Sequence, residues 1–138
     1  MRFLSLLTLL LFALPALAQT AETRGVYIPS QGAFGADNAS LTFVDPIAGT
    51  SAEILTERVY TQGAQIIGDR LYLTAGNDGA SRIDVIDLTT NAQVAQVTGS
   101  LTELRNPRYL AEVTPGKAYV TNQTYAFSTT DPAFVSIL

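Results

Sequence analysis

The chain has 138 residues, with eight basic and twelve acidic side chains, a net charge of −4, and neither histidine nor cysteine. Those two absences exclude Ser-His-Asp and Cys-His nucleophilic systems, His- or Cys-ligated zinc, c-type haem attachment and disulfide staples from these residues. The acidic balance, with Arg24, Arg58, Arg70, Arg82, Arg105, Arg108 and Lys117 scattered singly along residues 19–138, leaves no cluster to displace counterions from phosphates, so no nucleic-acid partner is expected.

In chain order, Met1-Arg2 supply a short positive start, Phe3 to Ala13 are almost unbroken apolar residues, and Ala16-Leu17-Ala18 offers small residues to a signal peptidase. This reads as a signal peptide over 1–18 with cleavage before Gln19. The apolar stretch is well short of the ~20 residues that a bilayer needs, so no membrane span is expected. Export follows as the expectation, to a periplasmic, cell-surface or extracellular location. Residues 19–138 then suffice for one domain and not for two.

Within 19–138 no ten-residue stretch carries apolar residues at 3.6-residue spacing. Short runs rich in Val, Ile, Tyr and Thr alternate with clusters of Gly, Asn, Asp and Pro, which is an all-β pattern. One phrase recurs. Gly25-Val26-Tyr27-Ile28, Arg70-Leu71-Tyr72-Leu73 and Lys117-Ala118-Tyr119-Val120 are strands whose tyrosines lie 45 and 47 residues apart. Turns follow at Gly35-Ala36-Asp37-Asn38 and Gly76-Asn77-Asp78-Gly79, then second strands that end on Asp45 and Asp87. A third such strand, Val135-Ser136-Ile137-Leu138, stops one residue before its aspartate position. The next turns, Asp45 to Gly49 and Asp87 to Asn91, align at a shift of 42 residues. In each, the carboxylate can accept backbone N–H bonds just beyond it, and Gly or Asn stands where a left-handed residue is needed.

Outer strands are expected over Ser51–Thr56 and Gln93–Thr98, and the next inner strands over Gln62–Ile67 and Arg108–Val113, with Pro107 and Pro115 in connections. Each unit thus holds four strands in the order inner, Tyr-bearing, Asp-ending, outer. The repeat spans about 25–67, 70–113 and 117–138, and a strand repeat of this length fits a β-propeller blade. The expected fold is all-β, with about two and a half blades of four antiparallel strands in a partial β-propeller domain over 19–138.

The segment Ala118-Tyr119-Val120-Thr121-Asn122 contains Tyr-Val-Thr-Asn, and with Ile83 to Asn91 and Val135 to Leu138 it resembles the YVTN family of β-propeller repeats. The first unit departs from that motif with Tyr27-Ile28-Pro29-Ser30, and the second with Tyr72-Leu73-Thr74-Ala75. The resemblance implies a propeller of the wider WD40-like and quinoprotein amine dehydrogenase-like kind. An isolated pair of blades exposes the apolar face meant for the next one. The remaining blades are therefore expected from the same chain, this sequence being the N-terminal fragment of a ring, or else from other copies.

No residue is assigned a catalytic, cofactor-binding or metal-binding role, and no cofactor is expected. Asn77, Asp78, Asp84 and Asp87 share one hairpin, but their spacing is not that of a calcium loop and Asp84 and Asp87 fall on opposite strand faces. They read as turn residues plus a cap. Gly32-Ala33-Phe34-Gly35 lacks the lysine and the helix of a phosphate loop. Tyr27, Tyr72 and Tyr119 read as packing between blades with a hydroxyl reaching a partner. Arg105 and Arg108, flanking Asn106-Pro107, read as solvated charges, with an anion-binding face as the alternative. Tyr125 and Phe127 lie in a longer third hairpin, Gln123 to Pro132, and suggest a carbohydrate or protein contact if exposed. Asn38-Ala39-Ser40 and Asn122-Gln123-Thr124 fit the glycosylation sequon, which matters only on a eukaryotic secretory route. The functional expectation is an exported binding or scaffolding module with a protein or carbohydrate ligand. The alternative is an enzyme resembling a quinoprotein dehydrogenase or sugar lactonase, whose catalytic residues lie in other blades.

Overall fold

The computed structural model describes residues 24–33, 35–58, 60–76, 81–98, 103–123 and 132–138. Among them are ten strands and no helix: β1 (Val26–Ser30), β2 (Ala39–Asp45), β3 (Thr50–Arg58), β4 (Thr61–Ile67), β5 (Arg70–Ala75), β6 (Arg82–Asp87), β7 (Gln93–Thr98), β8 (Pro107–Thr114), β9 (Lys117–Asn122) and β10 (Phe134–Ile137). They form three antiparallel sheets, ordered β1-β2-β3, β4-β5-β6-β7 and β8-β9-β10. This all-β arrangement is consistent with partial propeller blades, and the sheets are not closed into a ring. Residues 1–18, read from the sequence as a signal peptide, lie outside the described residues.

The second sheet has the full inner, Tyr-bearing, Asp-ending, outer order expected from the repeat. The first sheet lacks an inner strand beside β1, and the third lacks an outer strand beside β10 among the described residues. Each later sheet takes its first strand from the tail of the preceding sequence unit: β4 falls within 25–67, and β8 begins within 70–113 and ends one residue beyond it. Pro29 sits in β1, an edge strand, where a missing N–H costs least. Pro107, which the sequence places in a connection, is instead the first residue of β8, another position that proline tolerates.

Turn chemistry explains why the strands end where they do. Asp45 Oδ1 accepts hydrogen bonds from the N–H groups of Ile47 and Ala48, each at 2.9 Å. Asp87 Oδ1 accepts from Thr89 N–H at 2.8 Å and Thr90 N–H at 2.9 Å. Gly49 and Asn91 then take positive φ values of 66° and 58°, so the backbone requirement read from the sequence recurs in space.

Register sorts the side chains onto two faces. Tyr27 opposes Phe43, Tyr72 opposes Val85 and Tyr119 opposes Ile137, so each tyrosine marks the same face of its sheet. The opposite face carries Val26 and Ile28, Leu71 and Leu73, or Ala118 and Val120. The tyrosine face of the first sheet packs on the leucine face of the second, where Leu41, Leu55, Leu71, Leu73 and Ile86 form one buried cluster flanked by Tyr27. The tyrosine face of the second sheet packs on the third through Ile83, Leu104, Leu110 and Val120, flanked by Tyr72 and Val97. Among the described residues only the second sheet is covered on both sides, which is why β6 is buried at four consecutive positions from Ile83 to Ile86.

Candidate functional site

Two polar groupings stand out between the sheets. The first surrounds Asp84, which is fully buried in β6 on the face turned toward the first sheet. Its Oδ1 accepts hydrogen bonds from Gln93 Nε2 at 3.1 Å and Gln96 Nε2 at 2.8 Å, and its Oδ2 accepts from Arg82 Nε at 3.2 Å. Arg58, at the end of β3, brings its Nε to 4.0 Å from the same Oδ2 and donates from Nη2 to Gln93 Oε1 at 2.8 Å. A buried carboxylate costs several kcal/mol unless paired and hydrogen-bonded, and here it is both. The cluster is a structural junction between two sheets.

The second grouping lies where the inner strands β4 and β8 begin. Backbone bonds stitch this end together: Thr61 N–H donates to Gln31 C=O at 3.3 Å, Gly76 N–H to Tyr60 C=O at 2.9 Å and Gln123 N–H to Asn106 C=O at 3.2 Å. Gly76 and Gln123 stand four residues after Tyr72 and Tyr119, so the last two bonds are one interaction repeated in two sheets. The link from Gln31 to Thr61 has no repeat between the second and third sheets, because Pro107 occupies the position matching Thr61 and has no N–H to donate. The Thr74 hydroxyl spans that junction instead, donating to Arg108 C=O at 2.9 Å. Asn106 N–H donates to Ser81 Oγ at 2.8 Å, and Arg105 N–H to Asn122 Oδ1 at 2.9 Å.

Upon this frame stand the side chains that can meet a ligand. Arg108 is half-buried, and its Nη1 donates to Gln62 Oε1 on the neighbouring inner strand. Among the described residues no carboxylate pairs with Arg108. Its Nε, together with Asn106 Oδ1, is buried without a hydrogen-bond partner. The rim therefore carries one half-buried cation, and beside it two polar atoms that are unsatisfied but closed to solvent. Gly63 makes the approach of β4 and β8 possible, because a Cβ there would overlap the Arg108 carbonyl oxygen. A glycine inside a strand is a sequence signal for such close approach, beside the Arg105 and Arg108 pair already read as a possible anion-binding face. Gln62, Asn106 and Thr74 carry no pattern that marks them in advance.

The other sequence candidates fall as follows. Tyr27 reaches a partner as expected, its hydroxyl donating to Asn91 Oδ1 at 2.5 Å across the first junction. Burial, and secondarily the Asp87 carboxylate, raise the Tyr27 pKa above its ordinary value. Tyr72 packs between the second and third sheets, whereas Tyr119 is exposed, with Lys117 Nζ 5.6 Å from its ring centroid. Arg105 is exposed and Arg108 is not, so the pair does not form one face of solvated charge. Asp87 holds its turn and pairs with Arg70. Its pKa is lowered first by the backbone N–H groups of Thr90 and Thr89, with Arg70 contributing less. Asn77, Asp78, Tyr125 and Phe127 lie outside the described residues, and among the described residues no three carboxylates gather into a metal-sized group.

No protein-family model matches the chain, and no curated protein matches it either. Among the described residues no helix is long and apolar enough to cross a membrane.

Proposed function

We propose that this chain is an exported β-propeller-type repeat protein that acts as a binding or scaffolding module, with ligand contacts on the rim where β4 and β8 begin. The observation that carries the reading is Arg108, a half-buried guanidinium that rests on Gln62 and has no carboxylate partner among the described residues. A ligand carboxylate would pair with the half-buried Arg108 guanidinium, which no carboxylate of the described residues neutralises. The signal-like stretch over 1–18 supports export, and its test is the mature N-terminus: mass spectrometry of the secreted protein should find Gln19 first.

Binding is tested on arrays of acidic oligosaccharides and acidic peptides, with Arg108→Ala and Gln62→Ala as controls. Binding by the wild-type chain that both substitutions weaken supports the rim. Silence on both arrays, or turnover of a quinone- or lactone-type substrate, overturns the binding-module reading.

A further inference from the structure

The contact between Arg108 and Gln62 fixes more than the place of one cation. A guanidinium has only N–H groups to offer, so Arg108 Nη1 can meet the Gln62 side chain only at its Oε1 acceptor, which sets the way the amide faces. The amide nitrogen is left over. Among the described residues neither Gln62 Nε2 nor Arg108 Nη2 makes a hydrogen bond, and of the unpaired nitrogens of this pair only Arg108 Nε is closed to solvent. Nε2 and Nη2 therefore stand open, on two side chains that a hydrogen bond holds together, and both atoms only donate. The neighbouring acceptor Asn106 Oδ1 is sealed from solvent. The backbone beneath is fixed as well: the Arg108 carbonyl receives the Thr74 hydroxyl at 2.9 Å and lies where a Cβ on Gly63 would collide with it. The pair sits on the inner strands of the second and third sheets, which pack on each other, and away from the two end faces of the stack.

We propose that Arg108 and Gln62 form a two-donor fork for a carboxylate, one carboxylate oxygen accepting from Arg108 Nη2 and the other from Gln62 Nε2. The inference rests on the rim reading above and deepens it, because Gln62 becomes a residue that sets the ligand's chemistry. Two donors with no acceptor between them favour a group that only accepts, and the guanidinium adds a preference for charge. The fork thus selects an ionised carboxylate over an amide or a sugar hydroxyl. Arg105 is exposed and Arg108 is half-buried, so the fork holds a single guanidinium. One such charge matches a monoanion better than a more highly charged phosphate monoester.

Titration calorimetry on the purified full chain tests the fork with matched probes. One arm sets an N-acetylated peptide of neutral residues with a free C-terminal carboxylate against its amidated twin. The other sets a glucuronate oligosaccharide against the neutral glucose oligosaccharide. The acid should bind at least about tenfold tighter than its neutral twin, and the arm that binds names the source of the carboxylate. Gln62→Glu is the discriminating variant. It keeps an acceptor for Arg108, so the thermal midpoint should hold or rise, yet its own carboxylate fills the fork and affinity should fall at least about tenfold. Gln62→Met, which removes the Nε2 donor at similar length, should weaken binding about fivefold and serves if the glutamate variant does not fold. Should Gln62→Glu or Gln62→Met bind the acid as the wild type does, the fork is overturned and the rim reading survives. The same follows if the neutral twins match the acids, or if orthophosphate binds more tightly than either acid, while Arg108→Ala still abolishes binding. Absence of binding by every probe, or binding that Arg108→Ala leaves intact, removes the rim reading and the fork together.

Discussion

The first and second sheets carry the same repeat and end in different circumstances. Leu73 and Ile28 occupy matching positions, one sealed under the first sheet and the other facing solvent. Asp84 and Thr42 match as well, and only Asp84 is buried among charges. Local sequence makes the strands and turns. Whether a side chain belongs to the core is decided by which sheet lies against it.

The sharpest test of that contrast is Asp84→Ala. Removing the carboxylate leaves the guanidinium groups of Arg82 and Arg58 without their counter-charge in a buried junction, and this should cost about 3–5 kcal/mol in urea unfolding. Thr42→Ala at the matching position should cost below about 1 kcal/mol. Leu73→Ala comes next, at about 2–5 kcal/mol for a fully buried leucine, against less than about 1 kcal/mol for Ile28→Ala measured on dilute monomer. Equal losses at Leu73 and Ile28 would mean that the first sheet is covered in the isolated chain, contrary to the fold described.

The tyrosines give a finer comparison. Tyr27→Phe removes the hydrogen bond to Asn91 and should cost about 1 kcal/mol, whereas Tyr119→Phe should be neutral in a monomer. The smallest effect is the acid response of the Asp87 turn. Its folded pKa lies below the ordinary 3.8, so in the window between the folded and unfolded values the unfolded chain binds more protons. The contribution of Asp87 is therefore present above the unfolded value and is lost as pH falls through the folded value. Unfolding midpoints at about pH 6 and about pH 2.5 should converge between the wild-type chain and Asp87→Asn at the acid end. A gap that persists unchanged at acid pH would remove the charge-based account of this turn.

The strands, their order and the two aspartate turns were legible in the sequence because each depends on residues close in the chain. Asp45 and Asp87 bond N–H groups two and three residues on, and Gly49 and Asn91 supply the positive φ. The junctions between sheets were not legible. Arg58 meets Asp84 across 26 residues of chain, and Arg108 meets Gln62 across 46, and neither spacing belongs to any periodic pattern. Pro107 misled for a related reason: a proline reads as punctuation, and only the fold shows it opening a strand with its ring against Gly76. The rim candidates stayed hidden because Gln62, Asn106 and Thr74 are ordinary polar residues until β4 and β8 bring them together.

The buried carboxylate has a bearing on the order of the stack. At the positions matching Asp84, the first sheet has Thr42 and the third has Ser136, neither of which demands a cation. The second sheet does demand one, and Arg58 from the end of β3 helps to supply it. A neighbour without an arginine at that place would seal Asp84 with one guanidinium fewer, at a cost that the threonine and serine sheets never impose. Asp84 thus favours, as the sheet before its own, one that ends its outer strand on a cation as β3 does with Arg58.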